Sequence, residues 1–404
     1  MARPRVFVSS WFFAPYPGSA DLDLFKRLQY CDLDFDVVQA RRAGADLRLF
    51  EGSLPARFDR TELDLNGLGP RTRGAREIFS SGVLEAFGAR QPYDALLSHS
   101  NEVPSHEAAL RLKTANPSLP WVAYFGDLVS KNPYVPHLGE YPLFEEDCLT
   151  EARTLARADL IICNNAHQRA LMLAGAGPEV AARTVVIPHA FDERFYPSTP
   201  APNARFRFTH LGTLYSVKRR AAPVLQAVDL LLEVYPELAQ RFEVVFVGDD
   251  VPAENLAVWR RMRHQSHVRF EPGVSYLESL ALMKASDALV VIDGLFDELK
   301  FNPFFPGKLA DYFGSGRPVL AVTMKEGPTA ELLKERGELI SDEDPERLAY
   351  VLKRYLEGRV PPHSPPSRFR SQLVSAQMEA ALRAAIRGPE AIAALPRKLE
   401  AMRE

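Results

Sequence analysis

The sequence is poor in cysteine, has no long apolar run and carries no marked excess of either charge. Its 404 residues include three cysteines, Cys31, Cys148 and Cys163, whose spacing fits neither a zinc site nor a disulfide framework. We therefore expect the reducing cytoplasm as its compartment. The formal net charge of −3 argues against a nucleic-acid partner. No apolar run reaches the roughly 18 residues needed to cross a membrane.

The N-terminus, MARPRVFVSSWFF, also lacks the features of a secretory leader. Two arginines precede a short apolar run, but neither a long apolar segment nor a small-residue cleavage site follows. We therefore interpret this run as a first strand. A hydrophobic content of 46% and a charged content of 25% are typical of a soluble globular protein. The length allows two domains of about 200 residues each.

Short β-branched runs alternate with helical patterns along the chain, which predicts an α/β protein with parallel sheets. The predicted strands of the first half are Val6–Ser10, Asp36–Gln39, Ala95–Ser98, Trp121–Tyr124, Leu160–Cys163 and Thr184–Ile187. Those of the second half are Phe206–Leu211, Glu243–Val247, Val268–Glu271, Ala288–Ile292, Val319–Val322 and Glu338–Ile340. We expect two doubly wound, Rossmann-like domains that face a central cleft, where strand carboxyl ends collect ligands.

The domain boundaries follow from proline-rich stretches. The segment 195–205, FYPSTPAPNAR, has three prolines and is the best linker candidate. We predict an N-terminal domain over 1–195, a C-terminal domain over 196–365 and a helical tail over 366–404. An apolar stripe predicts that the tail packs back on the body. The Arg-rich stretch 47–76 is interpreted as a long loop that covers a binding cleft.

The segment 305–322, FPGKLADYFGSGRPVLAV, suits a nucleoside diphosphate. Pro306 and Gly307 open a helix, whose free N–H groups and dipole favour anionic oxygens, and Lys308 adds a full positive charge. Asp311 lies one turn later on the same face, where a carboxylate can accept hydrogen bonds from both ribose hydroxyls. Gly314 and Gly316 end the helix before a buried strand. The alternative is a surface ion pair between Lys308 and Asp311.

A second basic group follows the first strand of the C-terminal half, in FTHLGTLYSVKRR. Gly212 ends that strand, where the backbone turns sharply or lets a ligand approach. Lys218, Arg219 and Arg220 come next, and one or two of them are candidates for the same diphosphate. The alternative is a solvated basic patch.

These residues resemble the glycosyltransferases of the GT-B fold, close to family 4. Such enzymes carry a Gly after the first strand of the C-terminal domain and a basic residue about six positions on, matched here by Gly212 and Lys218. These enzymes also carry a motif of two Glu separated by seven residues, and the second Glu lies five residues before a Gly. Asp311 stands at that place before Gly316, whereas Pro303 replaces the first Glu, which usually contacts the transferred sugar. The pattern resembles a family subset that lacks this Glu.

The resemblance extends into the N-terminal half and covers most of the chain. LPWVAYFGDLVSKNP is similar to a family segment in which Asp follows an Arg, replaced here by Gly126. ADLIICNNAHQRALM and VVIPHAFDERFYP resemble the end of the family's N-terminal domain. Asp127 is therefore our catalytic candidate. In an inverting enzyme it would take the acceptor proton, whereas in a retaining one, which the resemblance favours, it would orient the acceptor or sugar. A helix cap or a salt bridge to Lys131 is the alternative.

Three weaker candidates for acceptor or sugar contact are Gly18, His106 and His189. Gly18 allows a close approach to the first helix start or is a plain turn glycine. Each histidine is more often a packing residue than a functional one. The pairs Asp21–Asp23, Asp32–Asp34 and Asp34–Asp36 resemble the metal-binding Asp-x-Asp of another glycosyltransferase fold. We interpret them as solvated acids and expect no metal, because basic groups and helix starts would neutralise the leaving diphosphate.

The resemblance implies a hexosyltransferase-like enzyme of bacterial polysaccharide or glycoconjugate synthesis, with a nucleotide-sugar donor and a saccharide or lipid-linked acceptor. No cofactor is expected beyond that co-substrate. The arginines between Arg41 and Arg76 suit contact with a lipid-linked acceptor or peripheral contact with the inner membrane face, although interleaved acids favour a solvated surface. Two alternatives stay open. A nucleotide-sugar 2-epimerase shares the fold, but it needs more acid/base groups than we find. A non-catalytic two-domain binding protein of the periplasmic type would need a leader.

Overall fold

A computed structural model describes residues 2–42, 44, 49, 55–100, 102–137, 139–198, 200–215, 218–249 and 251–403 of the chain. These residues form two compact units. The first unit comprises Met1–Ala190 and Ser367–Glu404, and the second comprises Phe191–Pro366. The division therefore falls a few residues before the predicted boundary at 195, and the tail belongs to the first unit.

The first unit contains a seven-stranded parallel sheet. Its strands are β1 (Arg5–Ser10), β2 (Asp34–Ala40), β3 (Phe58–Leu63), β4 (Ala95–Ser100), β5 (Trp121–Phe125), β6 (Leu160–Cys163) and β7 (Thr184–Val186), in the order β3-β2-β1-β4-β5-β6-β7. Its helices are α1 (Ser19–Leu28), α2 (Arg73–Ala89), α3 (Pro104–Ala115), α4 (Phe144–Arg157), α5 (Ala166–Leu173) and α6 (Pro178–Ala182). The strand order reverses between β1 and β4, which makes their carboxyl ends the place where a ligand of such a sheet collects.

The second unit contains a six-stranded parallel sheet. Its strands are β8 (Phe206–Leu211), β9 (Phe242–Val247), β10 (Val268–Glu271), β11 (Ala288–Ile292), β12 (Val319–Val322) and β13 (Ile340–Ser341), in the order β10-β9-β8-β11-β12-β13. Its helices are α7 (Ala222–Val234), α8 (Ala253–Arg261), α9 (Tyr276–Ala285), α10 (Gly307–Ser315), α11 (Pro328–Glu335) and α12 (Pro345–Leu356). Here the order reverses between β8 and β11, so their carboxyl ends define the switch point of this sheet.

Buried apolar strands explain why the sheets form. Every residue of β11 (ALVVI) and of β12 (VLAV) is buried, as expected when helices cover both faces of a parallel sheet. This continuous apolar pattern is the reason that most strands could be predicted from the sequence. The last strand is displaced slightly, to Ile340–Ser341 instead of Glu338–Ile340.

The stretch 47–76 is not one long loop, which corrects our prediction. It contains β3 and the first turn of α2, while residues 45–48 and 50–54 lie outside the described part of the chain. Strand β3 (FDRTEL) lies at the edge of the sheet. Charged side chains are typical of edge strands, because they discourage pairing with another chain, and they hide the apolar signal that marks the inner strands.

The tail forms two helices, α13 (Ser371–Arg387) and α14 (Pro389–Ala401). Met378 and Leu382 are fully buried, and polar contacts join α13 to the end of α1 and the residues after it. The Ser375 hydroxyl donates to the Lys26 carbonyl over 3.2 Å, and Glu379 accepts from the Asp32 amide over 2.8 Å. Within the first unit the tail thus packs against α1.

Candidate functional site

Gly212 and Lys308 meet at the switch point of the second unit. Gly212 follows β8 with a φ of 111°, a backbone conformation that favours glycine. A Cβ atom on Gly212 would lie 2.6 Å from the Nζ atom of Lys308. The glycine therefore leaves room for the ammonium group of Lys308 at the carboxyl end of β8.

Lys308 lies in the first turn of α10, and its ammonium nitrogen is buried without a hydrogen bond or ion pair to any residue that the structure describes. The alternative of a surface ion pair with Asp311 is therefore wrong. The pKa of Lys308 is lowered to about 7, mainly by burial and also by Arg219, while Asp293 opposes the shift. A buried ammonium without a hydrogen-bond partner costs free energy, so the site favours an anion that approaches this nitrogen.

The start of α10 adds to this preference for anions. Its N-cap residue is Pro306, which has no side-chain oxygen to accept from the first amides. The amide groups of Gly307 and Lys308 precede the first regular bond of the helix, since Leu309 is the first to donate back, to the Pro306 carbonyl over 2.9 Å. Phosphate oxygens are suitable acceptors for such amides.

The three basic residues before α7 have different environments. The Arg219 guanidinium stacks 4.8 Å from the centre of the Tyr215 ring and is close enough to Lys308 to lower its pKa. Lys218 lies 4.0 Å from Asp297. Arg220 pairs with Glu343 and is already neutralised. Of the three, Arg219 therefore contributes most directly to the positive potential at Lys308.

Asp311 is buried, with 6% of its surface exposed. The Tyr276 hydroxyl donates to its Oδ1 atom over 3.1 Å, while the Tyr196 hydroxyl donates to its backbone carbonyl over 2.7 Å. A carboxylate accepts several hydrogen bonds, so the Tyr276 contact is compatible with further donors. The predicted role of Asp311 in holding a ribose stays a prediction.

The glycines at the end of α10 differ from our expectation. Gly314 lies inside the helix, and only Gly316 caps it, in the left-handed conformation with a φ of 73°. A Cβ atom on Gly314 would lie 2.6 Å from the Phe191 ring. Gly314 is therefore required by close packing, which the sequence alone does not reveal.

Sequence reasoning missed two residues of the second unit, Asp293 and His210. Asp293 follows β11, is 2% exposed and accepts from the Thr323 hydroxyl over 3.1 Å. His210 lies at the end of β8 with its Nδ1 atom 2.9 Å from the Val290 carbonyl. Burial lowers the pKa of His210 well below its usual range, and Lys308 acts in the same direction. An acid directly after a buried strand was the available signal for Asp293.

In the first unit, Asp127 follows β5 and is partly buried. Lys131 does not pair with it, because Lys131 donates instead to the carbonyls of Leu171 and Ala174, over 2.9 and 2.6 Å. The salt-bridge alternative is therefore wrong. The assignment of Asp127 as the catalytic residue stays a prediction.

Glu102 is a second acid at the same edge of the sheet. Ser100 of β4 pairs with Phe125 of β5, so Glu102 and Asp127 each follow their strand by the same number of residues. Burial raises the pKa of Glu102 to about 7, with Arg71 acting against the shift and Asp127 adding to it. The strand register supplies a signal for Glu102 that becomes readable only once the pairing is known.

The three weaker candidates are all engaged by the protein. The His106 ring is 1% exposed, with Nδ1 2.7 Å from the Ser98 hydroxyl, and burial lowers its pKa to about 3. His189 lies 2.6 Å from Asp23. Gly18 caps α1, and the Asp21 carboxylate folds back against it. A carboxylate thus already lies at the helix start where we expected an external anion.

The Asp-x-Asp acids are not all solvated, which corrects our interpretation. Asp21, Asp23 and Asp36 are 0%, 5% and 7% exposed, whereas the side chain of Asp32 is 64% exposed and that of Asp34 is 46% exposed. Each buried acid has an arginine partner: Arg42 for Asp21, Arg27 for Asp23 and Arg5 for Asp36. Burial raises the pKa of Asp21 to about 7. These partners are distant in sequence for Asp21 and Asp36, so composition alone could not reveal them.

Among the described residues, no group of three or more His, Cys, Asp or Glu side chains is arranged to hold a metal ion. Within the same residues, no helix is long and apolar enough to cross a membrane.

Part of the second unit matches a known family. Residues 213–358 match the family described as "Glycosyl transferases group 1", a span that contains Lys308 and Asp311. No curated protein matches the sequence significantly.

Solved structures match nearly the whole chain. A putative UDP-N-acetylglucosamine 2-epimerase from Listeria monocytogenes is 14% identical, with a TM-score of 0.65, over 96% of this chain and 97% of that chain. Sucrose-phosphate synthase from Thermosynechococcus elongatus is 15% identical, with a TM-score of 0.62, over 99% and 98%. WaaG, a glycosyltransferase involved in lipopolysaccharide biosynthesis, is 17% identical, with a TM-score of 0.59, over 98% of both chains. These similarities confirm the predicted GT-B fold with two Rossmann-like units, and the family match confirms the resemblance to glycosyltransferases.

Proposed function

We propose that this chain is a glycosyltransferase that moves a sugar from a nucleotide-diphosphate donor to a hydroxyl acceptor. The family match over residues 213–358 supports the class of enzyme. The observation that carries the donor site is the buried ammonium group of Lys308, which has no hydrogen-bond partner among the described residues. It lies at the switch point of a Rossmann-like sheet, where ligands collect.

In this proposal, the diphosphate accepts hydrogen bonds from Lys308 and from the first amides of α10, and Arg219 adds positive charge. Asp311 accepts the ribose hydroxyls. Because these groups neutralise the charge that develops on the leaving diphosphate, the reaction needs no metal ion. With retention of stereochemistry, the leaving phosphate takes the acceptor proton and Asp127 orients the acceptor or sugar. The acceptor is a saccharide or a lipid-linked saccharide, and membrane contact stays an expectation from the sequence.

Thermal unfolding with UDP, GDP, ADP, dTDP and CMP tests the donor site. A nucleotide that binds only the folded state raises the Tm by mass action, with a stabilisation of about 2.7 kcal/mol at one hundred times the Kd. We expect at least one diphosphate to raise the Tm, and Lys308→Ala or Asp311→Ala to abolish most of that rise.

Lys353→Ala is the matched control, because Lys353 forms a helix-surface pair with Glu357 on α12, away from the switch point. This variant should keep the full nucleotide response. An unchanged response in both Lys308→Ala and Asp311→Ala would show that the nucleotide binds elsewhere.

A product assay with nucleotide sugars then separates the enzyme classes. A glycosyltransferase releases nucleoside diphosphate in proportion to a glycosylated acceptor, whereas a 2-epimerase isomerises the sugar without an acceptor. A non-catalytic protein binds the donor without turnover. For Asp127→Asn we expect loss of transfer with unchanged nucleotide binding, and full transfer by this variant would remove Asp127 from the reaction.

A further inference from the structure

Asp293 is a buried acid that neither the motif nor the expected donor contacts explain. It follows β11, and its backbone amide still bonds to the Val322 carbonyl over 2.9 Å, so strand pairing fixes its position. Ile292 pairs with Val322, the last residue of β12. The hydroxyl of the next residue, Thr323, donates to the Asp293 carboxylate over 3.1 Å. The carboxylate is therefore held by both backbone and side-chain contacts.

The strand register brings Asp293 to the level of the Lys308 site. Leu289 of β11 pairs with Thr209 of β8, and continuation of this register places Ile292 beside Gly212. Asp293, the residue directly after β11, therefore lies one residue beyond the level of Gly212. The Lys308 ammonium packs against this glycine. These two strands flank the switch point, so Asp293 and Lys308 share the place where a ligand of this sheet collects.

One positive and one negative side chain influence the protonation of Lys308. Arg219 and Asp293 both act on the Lys308 ammonium, the former against its charged form and the latter in favour of it. His210 is the other titratable neighbour, and its buried imidazole is neutral. Since the Lys308 ammonium has no hydrogen-bond partner among the described residues, Asp293 is the negative group that favours its charge when no ligand is bound.

We propose that Asp293 is a positioning residue for the donor diphosphate, whose carboxylate favours the charged form of the neighbouring Lys308 amine until a phosphate oxygen supplies the counter-charge. The inference rests on the proposed donor site. It assigns to Asp293 an action through Lys308 and no contact with the substrate. Burial raises the pKa of Asp293, whereas Arg219, the hydroxyls of Thr329 and Thr323, and Lys308 favour its ionised form.

The consequence is a characteristic pH dependence of nucleotide binding. Above the pKa of Lys308 in the empty site, which is about 7, binding must recharge the amine and takes up a proton. The affinity therefore falls by up to about tenfold per pH unit above that pKa. Without the negative charge of Asp293, Lys308 loses its proton at lower pH, so proton uptake begins earlier.

Calorimetric titration with the diphosphate that gives the greatest thermal shift tests this. Proton uptake is measured at each pH from about 5 to 9 as the difference between two buffers of unequal ionisation enthalpy. We expect Asp293→Asn to move the midpoint of uptake down by about one pH unit. Arg219→Gln should move it in the opposite direction, because Arg219 disfavours the charge on Lys308. Titration of the ligand itself is common to all variants and cancels in the comparison.

Thr323→Val gives a second variant in case Asn at position 293 prevents folding. It preserves shape, removes the hydrogen bond to Asp293 and should shift the midpoint down by a smaller amount. A general loss of packing would weaken binding equally at every pH. A midpoint equal to that of the parent in Asp293→Asn, or in Thr323→Val if the former does not fold, would overturn the inference. If the parent binds no diphosphate, the proposed donor site itself fails and the inference falls with it.

Discussion

At the scale of single residues, the donor site depends on one glycine and one lysine. The lysine ammonium uses the room that a side chain on the glycine would fill. Gly212 combines a φ of 111° with the contact that a Cβ atom would make to the Lys308 ammonium at 2.6 Å. The first property concerns stability and the second concerns binding. A pair of glycine variants separates them.

We expect Gly212→Ala to lose both stability and nucleotide binding. The positive φ costs about 1–2 kcal/mol for an alanine, and the new methyl group displaces the ammonium from its place beside the strand end. Denaturant unfolding should show the loss of stability, and thermal unfolding with the diphosphate should show a reduced rise in Tm.

Gly316→Ala is the control within the same unit. Gly316 also has a positive φ, 73°, but it caps the far end of α10. This variant should lose a similar amount of stability and keep the nucleotide response. If Gly212→Ala responds to the nucleotide as fully as Gly316→Ala does, the ammonium does not need the space beside Gly212.

From the sequence, residues can be nominated where a local pattern has a meaning of its own, but not where their partners are distant. Lys308 and Gly212 could be nominated because a glycine after a strand and a lysine at a helix start have a meaning of their own. Asp36 could not be recognised as buried, because its partner Arg5 lies far along the chain. Asp293 needed the strand register to connect it with Lys308.

At the scale of elements, α10 agrees with the sequence prediction at its start and differs from it at Gly314. The predicted helix start lies at Gly307, and the left-handed glycine that ends the helix is Gly316. Both ends are set by the backbone preferences of single residues, since a proline fixes the start and a glycine permits the cap. Strand β3 shows the opposite case. It pairs with β2 along the sheet edge. Its own sequence has no apolar pattern that predicts a strand.

At the scale of the whole molecule, the two units repeat one arrangement of parallel strands. In each sheet the strand order reverses beside the first strand of the unit. The candidate site residues of each unit lie at the carboxyl ends of the strands close to this reversal. Asp127 and Glu102 lie at that edge of the first unit, and Lys308 lies there in the second. The fold class could be predicted because buried parallel strands are continuous apolar runs, whereas the identity of the sugar and acceptor does not follow from such runs.

The central claim is that the carboxyl edge of the second sheet holds a nucleoside diphosphate through Lys308. A crystal structure of the chain with the diphosphate that raises the Tm most tests it directly. The account predicts phosphate oxygens within hydrogen-bond distance of the Lys308 ammonium and the first amides of α10, with the ribose at Asp311. A nucleotide bound elsewhere, with the Lys308 ammonium still buried against Gly212 and without a partner, would contradict it.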